Sequence, residues 1–290
     1  MTSWPAPAKL NLFLHIVGRR PDGYHLLQTV FQFIDFCDTL SFAPRDDGRI
    51  TRGSGPVDVP AEQDLSVRAA RLLQQQAGVS AGVDIQITKR LPMGAGLGGG
   101  SSDAATTLVA LNRIWNIGWE IERLAALGLQ LGADVPVFVR GQAAWGEGIG
   151  EVLTPLDLPE PWYLLLIPPV KVSTAAIFGA ADLTRDTPPI TISDFVSGRG
   201  RNDCEALVRR AYPEIDRALS WLSEHATARL TGTGSALFAR FDTEAAARAL
   251  LAKVPAMWQG VVAKGLNRSP LLVASGESRV ASNSKASHNA

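Results

Sequence analysis

Along residues 8–16 the side chains alternate, with Leu10, Leu12, Leu14 and Ile16 on one side and Lys9, Asn11, Phe13 and His15 on the other. That period of two predicts a β-strand with a polar face near its start. Arg20-Pro21-Asp22-Gly23 is a turn signal, and the apolar run at 26–36 beyond it fits strand or helix by periodicity alone. Residues 38–42 read as a further short strand. An amphipathic helix is predicted over 65–76, ended by Gly78, and Val83, Ile85 and Ile87 alternate as a strand. After a glycine-rich segment, residues 102–115 predict a helix capped by Ser102 or Asp103, with Ala104, Leu108, Leu111 and Trp115 near one face. A helix over 120–129 follows, then strands around 137–139, 143–147 and 163–167. Helices at 202–211, 214–224 and 243–253 and a strand at 260–264 complete the pattern. Strands and helices mix without strict alternation, so the expected fold class is α+β.

A chain of 290 residues is long enough for its core to divide in two. The proline-bounded stretch 155–161 is the expected linker, giving an N-terminal nucleotide-binding domain at 1–155 and a C-terminal domain at 156–274. The small, polar stretch 275–290 reads as a disordered tail. With 28 basic and 28 acidic residues the net charge is zero, so no field is built to attract nucleic acid and a small substrate is expected. Cys37 and Cys204 are far apart, which supports neither a disulfide framework nor a zinc site. The first residues lack an apolar signal core and no stretch is long enough to span a membrane, so a cytoplasmic enzyme without a membrane partner is expected.

The densest chemical signal is the segment holding Gly94, Gly96, Gly98, Gly99 and Gly100, immediately before a predicted helix. Glycines let backbone approach a ligand closely, and a helix start offers unpaired amides and a positive dipole end, so phosphate is the natural ligand. Gly94-Ala95-Gly96-Leu97-Gly98-Gly99 also satisfies the dinucleotide pattern GxGxxG. The strand before it, however, alternates Asp84, Gln86 and Thr88 with apolar residues, whereas a dinucleotide fold wants a buried apolar strand there. No GK[ST] loop occurs, which excludes the P-loop class.

The run from Pro92 to Ser102 resembles the nucleotide-binding motif of the galactose, homoserine, mevalonate and phosphomevalonate (GHMP) kinase superfamily. Pro7-Ala8-Lys9-Leu10-Asn11-Leu12 is similar to its N-terminal motif and Leu230-Thr231-Gly232-Thr233-Gly234-Ser235 to its C-terminal glycine motif. Within the superfamily, Arg20-Pro21-Asp22-Gly23-Tyr24-His25 and Leu131-Gly132-Ala133-Asp134-Val135-Pro136 most resemble the branch whose acceptor is 4-diphosphocytidyl-2-C-methyl-D-erythritol, in non-mevalonate isoprenoid synthesis. The resemblance implies a ribosomal-protein-S5-like N-terminal domain, an α+β C-terminal domain and an active site in the cleft between them. It implies ATP as co-substrate with Mg²⁺, bound at Lys89, Pro92, Met93, Gly94, Ala95, Gly96, Leu97, Gly98, Gly99, Gly100, Ser101 and Ser102. Asp134 would be the catalytic base and Lys9 its cationic partner, while Asn11, Tyr24, His25 and Phe178 would bind the cytidine substrate. No metal ligand is assigned, although Ser101 or Ser102 could reach the ion. One departure is Asp64-Leu65, where the family often has Asn-Leu. A sibling kinase for another small alcohol and a non-catalytic nucleotide-binding module are the alternatives.

Overall fold

The alternation near the N-terminus is realised as a long hairpin. In the computed structural model, which describes residues 2–276, β1 (Thr2–Arg19) pairs antiparallel with β2 (His25–Arg45). The turn closes through the Arg20 N–H on the Tyr24 carbonyl at 2.7 Å and the Gly23 N–H on the Arg20 carbonyl at 2.9 Å. The ambiguous run at 26–36 and the segment at 38–42 are thus one strand. Cross-strand partners settle what periodicity leaves open. β1 does not keep a strict alternation, because its register shifts between Asn11 and Leu14. A bulge of this kind re-aims side chains, and both faces of the strand end up buried.

The remaining elements are β3 (Ile50–Ser54), α1 (Leu65–Ala77), β4 (Gly82–Thr88), α2 (Gly99–Ile114), α3 (Ile121–Leu129), α4 (Val135–Arg140), β5 (Ala144–Glu147), β6 (Val152–Pro155), β7 (Trp162–Ile167), α5 (Thr174–Gly179), α6 (Ile192–Val196), α7 (Glu205–Ala211), α8 (Pro213–Ser223), β8 (Ala228–Leu230), β9 (Leu237–Phe241), α9 (Glu244–Leu251), β10 (Gln259–Leu266) and α10 (Pro270–Ala274). The strands form one sheet in the order β3-β4-β2-β10-β7-β9-β8, with β1 and β5 also on β2, and β6 on β5. This is the expected α+β architecture. β10 joins the two halves, pairing with β7 along its length and with β2 at Gly265 and Leu266. No helix of the described residues is long and apolar enough to cross a membrane.

Three apolar cores position the site. One packs Phe33, Leu40 and Phe42 of β2 against α1 and α2 and receives Leu271 from α10. A second gathers Leu164 and Leu166 of β7, Leu219 and Leu222 of α8, and Leu237 of β9. The third lies between them and holds Leu10, Ala95, Leu97, Leu165 and Phe238. It anchors the glycine segment from below, and burial of a side chain such as Leu97 stabilises by about 1.5–3 kcal/mol.

Two expectations are corrected. Residues 137–139 are not a strand but part of α4, started by Pro136 in its first turn and ended by Gly141 in the left-handed conformation. Val135, Val137, Phe138 and Val139 are all buried there, so core packing outweighs the β preference of valine. The helix after the glycine segment begins at Gly99 rather than Ser102, with Gly98 as its cap, and residues 102–112 are buried throughout instead of along one face. Of the expected tail at 275–290, residues 277–290 lie outside the described residues.

Candidate active site

The glycine segment forms a tight loop because it must share space with another one. A Cβ on Gly96, whose φ is +75°, would sit 2.3 Å from the Thr231 carbonyl oxygen. At Gly98, φ +74°, it would meet the Phe138 ring at 2.7 Å. Only glycine fits either place. The Ala236 N–H donates to the Ala95 carbonyl at 3.1 Å, so the glycine motif at 232–234 packs directly on the loop. The first turn of α2 then presents its unpaired amides to a cavity of 590 Å³. Pro92 to Ser101 line this cavity, together with Lys9, Asn11, Lys89, Asp134, Phe178, Gly232 and Thr233. Ser102 is not on its wall: its hydroxyl is buried and, among the described residues, without a partner.

Lys9 is buried at the mouth of the loop. Its backbone N–H donates to the Leu97 carbonyl at 3.0 Å, which ties β1 to the loop. Its ammonium donates to Asn11 Oδ1 at 2.5 Å and to the Gly96 carbonyl at 3.0 Å, and lies 3.4 Å from Asp134 Oδ2. Asp134 stands just before α4, yet its side chain makes no capping bond. Its side chain is 35% exposed, lines the cavity and, among the described residues, pairs only with Lys9. A carboxylate and an ammonium therefore meet beside a helix start whose free amides suit an anion, far apart in sequence but adjacent in space.

Lys89 is placed differently from a free phosphate ligand. Its ammonium contacts Asp38, which is wholly buried, and Asp103 at 2.8 Å, although it still borders the cavity. Burial pushes the Asp103 carboxyl up to about 7, with the Lys89 ammonium opposing and Asp38 adding to the rise. An unfolded aspartate gives up its proton near pH 4, so the fold favours the protonated form. The stability from this group is complete below about pH 4 and is lost as the pH rises through about 7. Asp103→Asn should lack that loss. Its melting temperature relative to the wild-type protein should therefore rise between about pH 4 and pH 7, and a pH-independent difference would contradict the assignment.

The residues expected at the cytidine end are brought together only in part. His25 and Phe178 stack with ring centroids 5.0 Å apart and an interplanar angle of 26°, which leaves no room for a base between them. Tyr24 is 59% exposed and is not on the cavity wall. Burial, Arg185 and Arg19 hold the His25 imidazole below its usual range, so it is neutral near pH 7. Arg185 donates to His25 Nε2 at 3.0 Å and to the Phe178 carbonyl at 3.0 Å. An arginine in a polar turn carries no local signal of this role. Arg52 is likewise hidden in the sequence: it bonds Asp64 Oδ2 at 2.6 Å and so balances the charge where the family often has Asn. The other Asp64 oxygen caps α1 through the Ser66 N–H at 2.8 Å. Thr29 and Asp38 are polar residues inside apolar runs and wholly buried, which is the one sequence signal that could have marked them.

The chain is also similar to known proteins. The family model described as the GHMP kinases N terminal domain matches residues 64–142, and the GHMP kinases C terminal model matches residues 191–260. A protein of Nitrosococcus oceani named 4-diphosphocytidyl-2-C-methyl-D-erythritol kinase is 61% identical over 94% of this chain and 97% of its own length. One of the same name from Alkalilimnicola ehrlichii is 59% identical over 93% and 92%. A crystal structure of 4-(cytidine 5'-diphospho)-2C-methyl-D-erythritol kinase superposes with a TM-score of 0.80 at 32% identity, covering 91% of this chain and 99% of that one. A mevalonate kinase structure, at 14% identity and a TM-score of 0.68, shares the fold. The chain belongs to the GHMP kinase family, in the branch of the 4-diphosphocytidyl-2-C-methyl-D-erythritol kinases.

Proposed function

We propose that this chain transfers the γ-phosphoryl group of ATP to the 2-hydroxyl of 4-diphosphocytidyl-2-C-methyl-D-erythritol, a step of non-mevalonate isoprenoid synthesis. The observation that carries the reading is the Lys9–Asp134 pair on the cavity that the glycine loop also lines. It occurs in a chain 61% identical to a relative bearing that kinase's name. Phosphoryl transfer asks chiefly for positioning and charge stabilisation. The amides at the start of α2 and the loop backbone would hold the nucleotide phosphates, Asp134 would accept the hydroxyl proton, and Lys9 would offset the charge that develops. Asn11 is assigned to the substrate beside Lys9, and Tyr24, His25 and Phe178 to the cytosine. The division into 1–155 and 156–274 belongs to the same reading and is supported by two cores that each draw mainly on one half, with Leu271 crossing into the first and Leu14 and Ile16 into the second.

Magnesium is assigned as the companion of ATP. Among the described residues no three His, Cys, Asp or Glu side chains cluster as a metal cage. The ion would be held mainly by phosphate oxygens. Ser101, on the cavity wall at the start of α2, is the hydroxyl that would hold it. When bound, the ion neutralises charge on the phosphate oxygens. An acceptor panel tests the function: ATP consumption with the cytidine substrate, mevalonate, homoserine and galactose. The cytidine compound should be the preferred acceptor, and preference for another alcohol would assign the chain to a sibling activity.

A further inference from the structure

Thr29, on β2, is wholly buried beside Lys9 and Asn11, which are themselves almost fully buried. Its hydroxyl is 2.5 Å from the Phe13 carbonyl oxygen and 2.9 Å from Asn11 Nδ2. A threonine hydroxyl has one proton to give. The Phe13 carbonyl can only accept, so that proton goes there, and toward Asn11 the hydroxyl oxygen must accept. Asn11 therefore turns its NH₂ to Thr29 and its carbonyl oxygen to the Lys9 ammonium. The flipped amide would set NH₂ against ammonium, donor against donor, among side chains that are almost fully buried. The Asn11 backbone cannot adjust freely, because its N–H donates to Thr231 Oγ1 at 2.9 Å and a register shift follows directly after it.

We propose that Thr29 is a positioning residue for phosphoryl transfer: by fixing the direction of the Asn11 amide, it holds the Lys9 ammonium against Asp134. The inference rests on the kinase reading above. Thr29→Val keeps the shape and removes the hydroxyl, so the Asn11 NH₂ loses its acceptor and only the Lys9 ammonium is left to orient the amide. Lys9 then faces an acceptor that is no longer held in place from its far side.

Steady-state kinetics with ATP and the cytidine substrate test this. Thr29→Val is expected to lower kcat by about 10- to 100-fold, the scale of a misplaced catalytic group. KM for both substrates should stay within about threefold, and Thr29→Ser, which keeps the hydroxyl, should stay within about threefold of wild-type kcat. In an Asn11→Ala background the valine substitution should add no more than about a twofold loss, because residues acting through one another are not additive. A merely structural threonine would instead lower activity by the same factor in either background, and that result overturns the proposal. So does wild-type kcat in folded Thr29→Val. If the valine variant does not fold, Thr29→Ala against Thr29→Ser makes the same comparison. A Lys9→Met variant that keeps turnover overturns both this inference and the reading of the site. An inactive Lys9→Met beside an unaffected Thr29→Val overturns this inference alone.

Discussion

Replacing Asp134 by asparagine is expected to lower turnover by about 10²- to 10⁴-fold while binding of ATP and of the cytidine substrate changes only a few-fold. Asparagine keeps the size and most of the hydrogen bonding of aspartate but cannot accept the hydroxyl proton. A cap aspartate would behave differently, costing about 1 kcal/mol of stability when lost and leaving turnover of the folded fraction intact. The geometry separates the two cases: Asp134 precedes α4 without making any capping bond, and its sole charged partner among the described residues is Lys9. Melting temperature and turnover measured on one preparation decide between them. Stability should hold while activity falls, and full turnover in the variant would place the base elsewhere.

Lys9→Met should be almost as damaging, with turnover reduced by about 10²- to 10³-fold, the scale of removing one group that stabilises transition-state charge. Methionine fills the stem's volume but leaves Asn11 Oδ1, the Gly96 carbonyl and Asp134 without their shared donor. Unpaired buried acceptors cost about 1–3 kcal/mol each, so a lowered melting temperature is also expected. Lys9→Arg should not restore activity, because a flat guanidinium cannot point at three acceptors arranged around an ammonium. The 3.4 Å separation from Asp134 is looser than a hydrogen bond, which leaves that donor free to turn toward the substrate. Since the two residues act as a unit, the double variant with Asp134→Asn should be little worse than the poorer single one. A double variant showing the product of both losses would mean that they act independently.

Much of the site was legible because its parts are backbone devices with compositional signatures. Gly96 and Gly98 leave no room for a side chain, and that need is visible in the sequence as a run of glycines before a helix. The alternation around Lys9 likewise announces a strand, and the turn at Arg20-Pro21-Asp22-Gly23 announces its hairpin. What could not be read locally are the pairings across the fold. Nothing near Lys89 says that its ammonium sits against Asp38 and Asp103, and nothing near Arg185 points to His25, 160 positions away. The valine-rich stretch of α4 was misread because strand preference reports local fit, while burial against α2 and α3 decides its conformation. The stack of His25 on Phe178 was equally out of reach, since it depends on how α5 closes over β2.

The most direct measurement of the central claim is to incubate the purified chain with γ-labelled ATP and 4-diphosphocytidyl-2-C-methyl-D-erythritol and to locate the label in the product by phosphorus NMR. The account predicts label on the 2-hydroxyl oxygen, formed in one-to-one ratio with ADP and lost in Asp134→Asn. Label on another hydroxyl, or ADP released without any phosphorylated cytidine product, would contradict it.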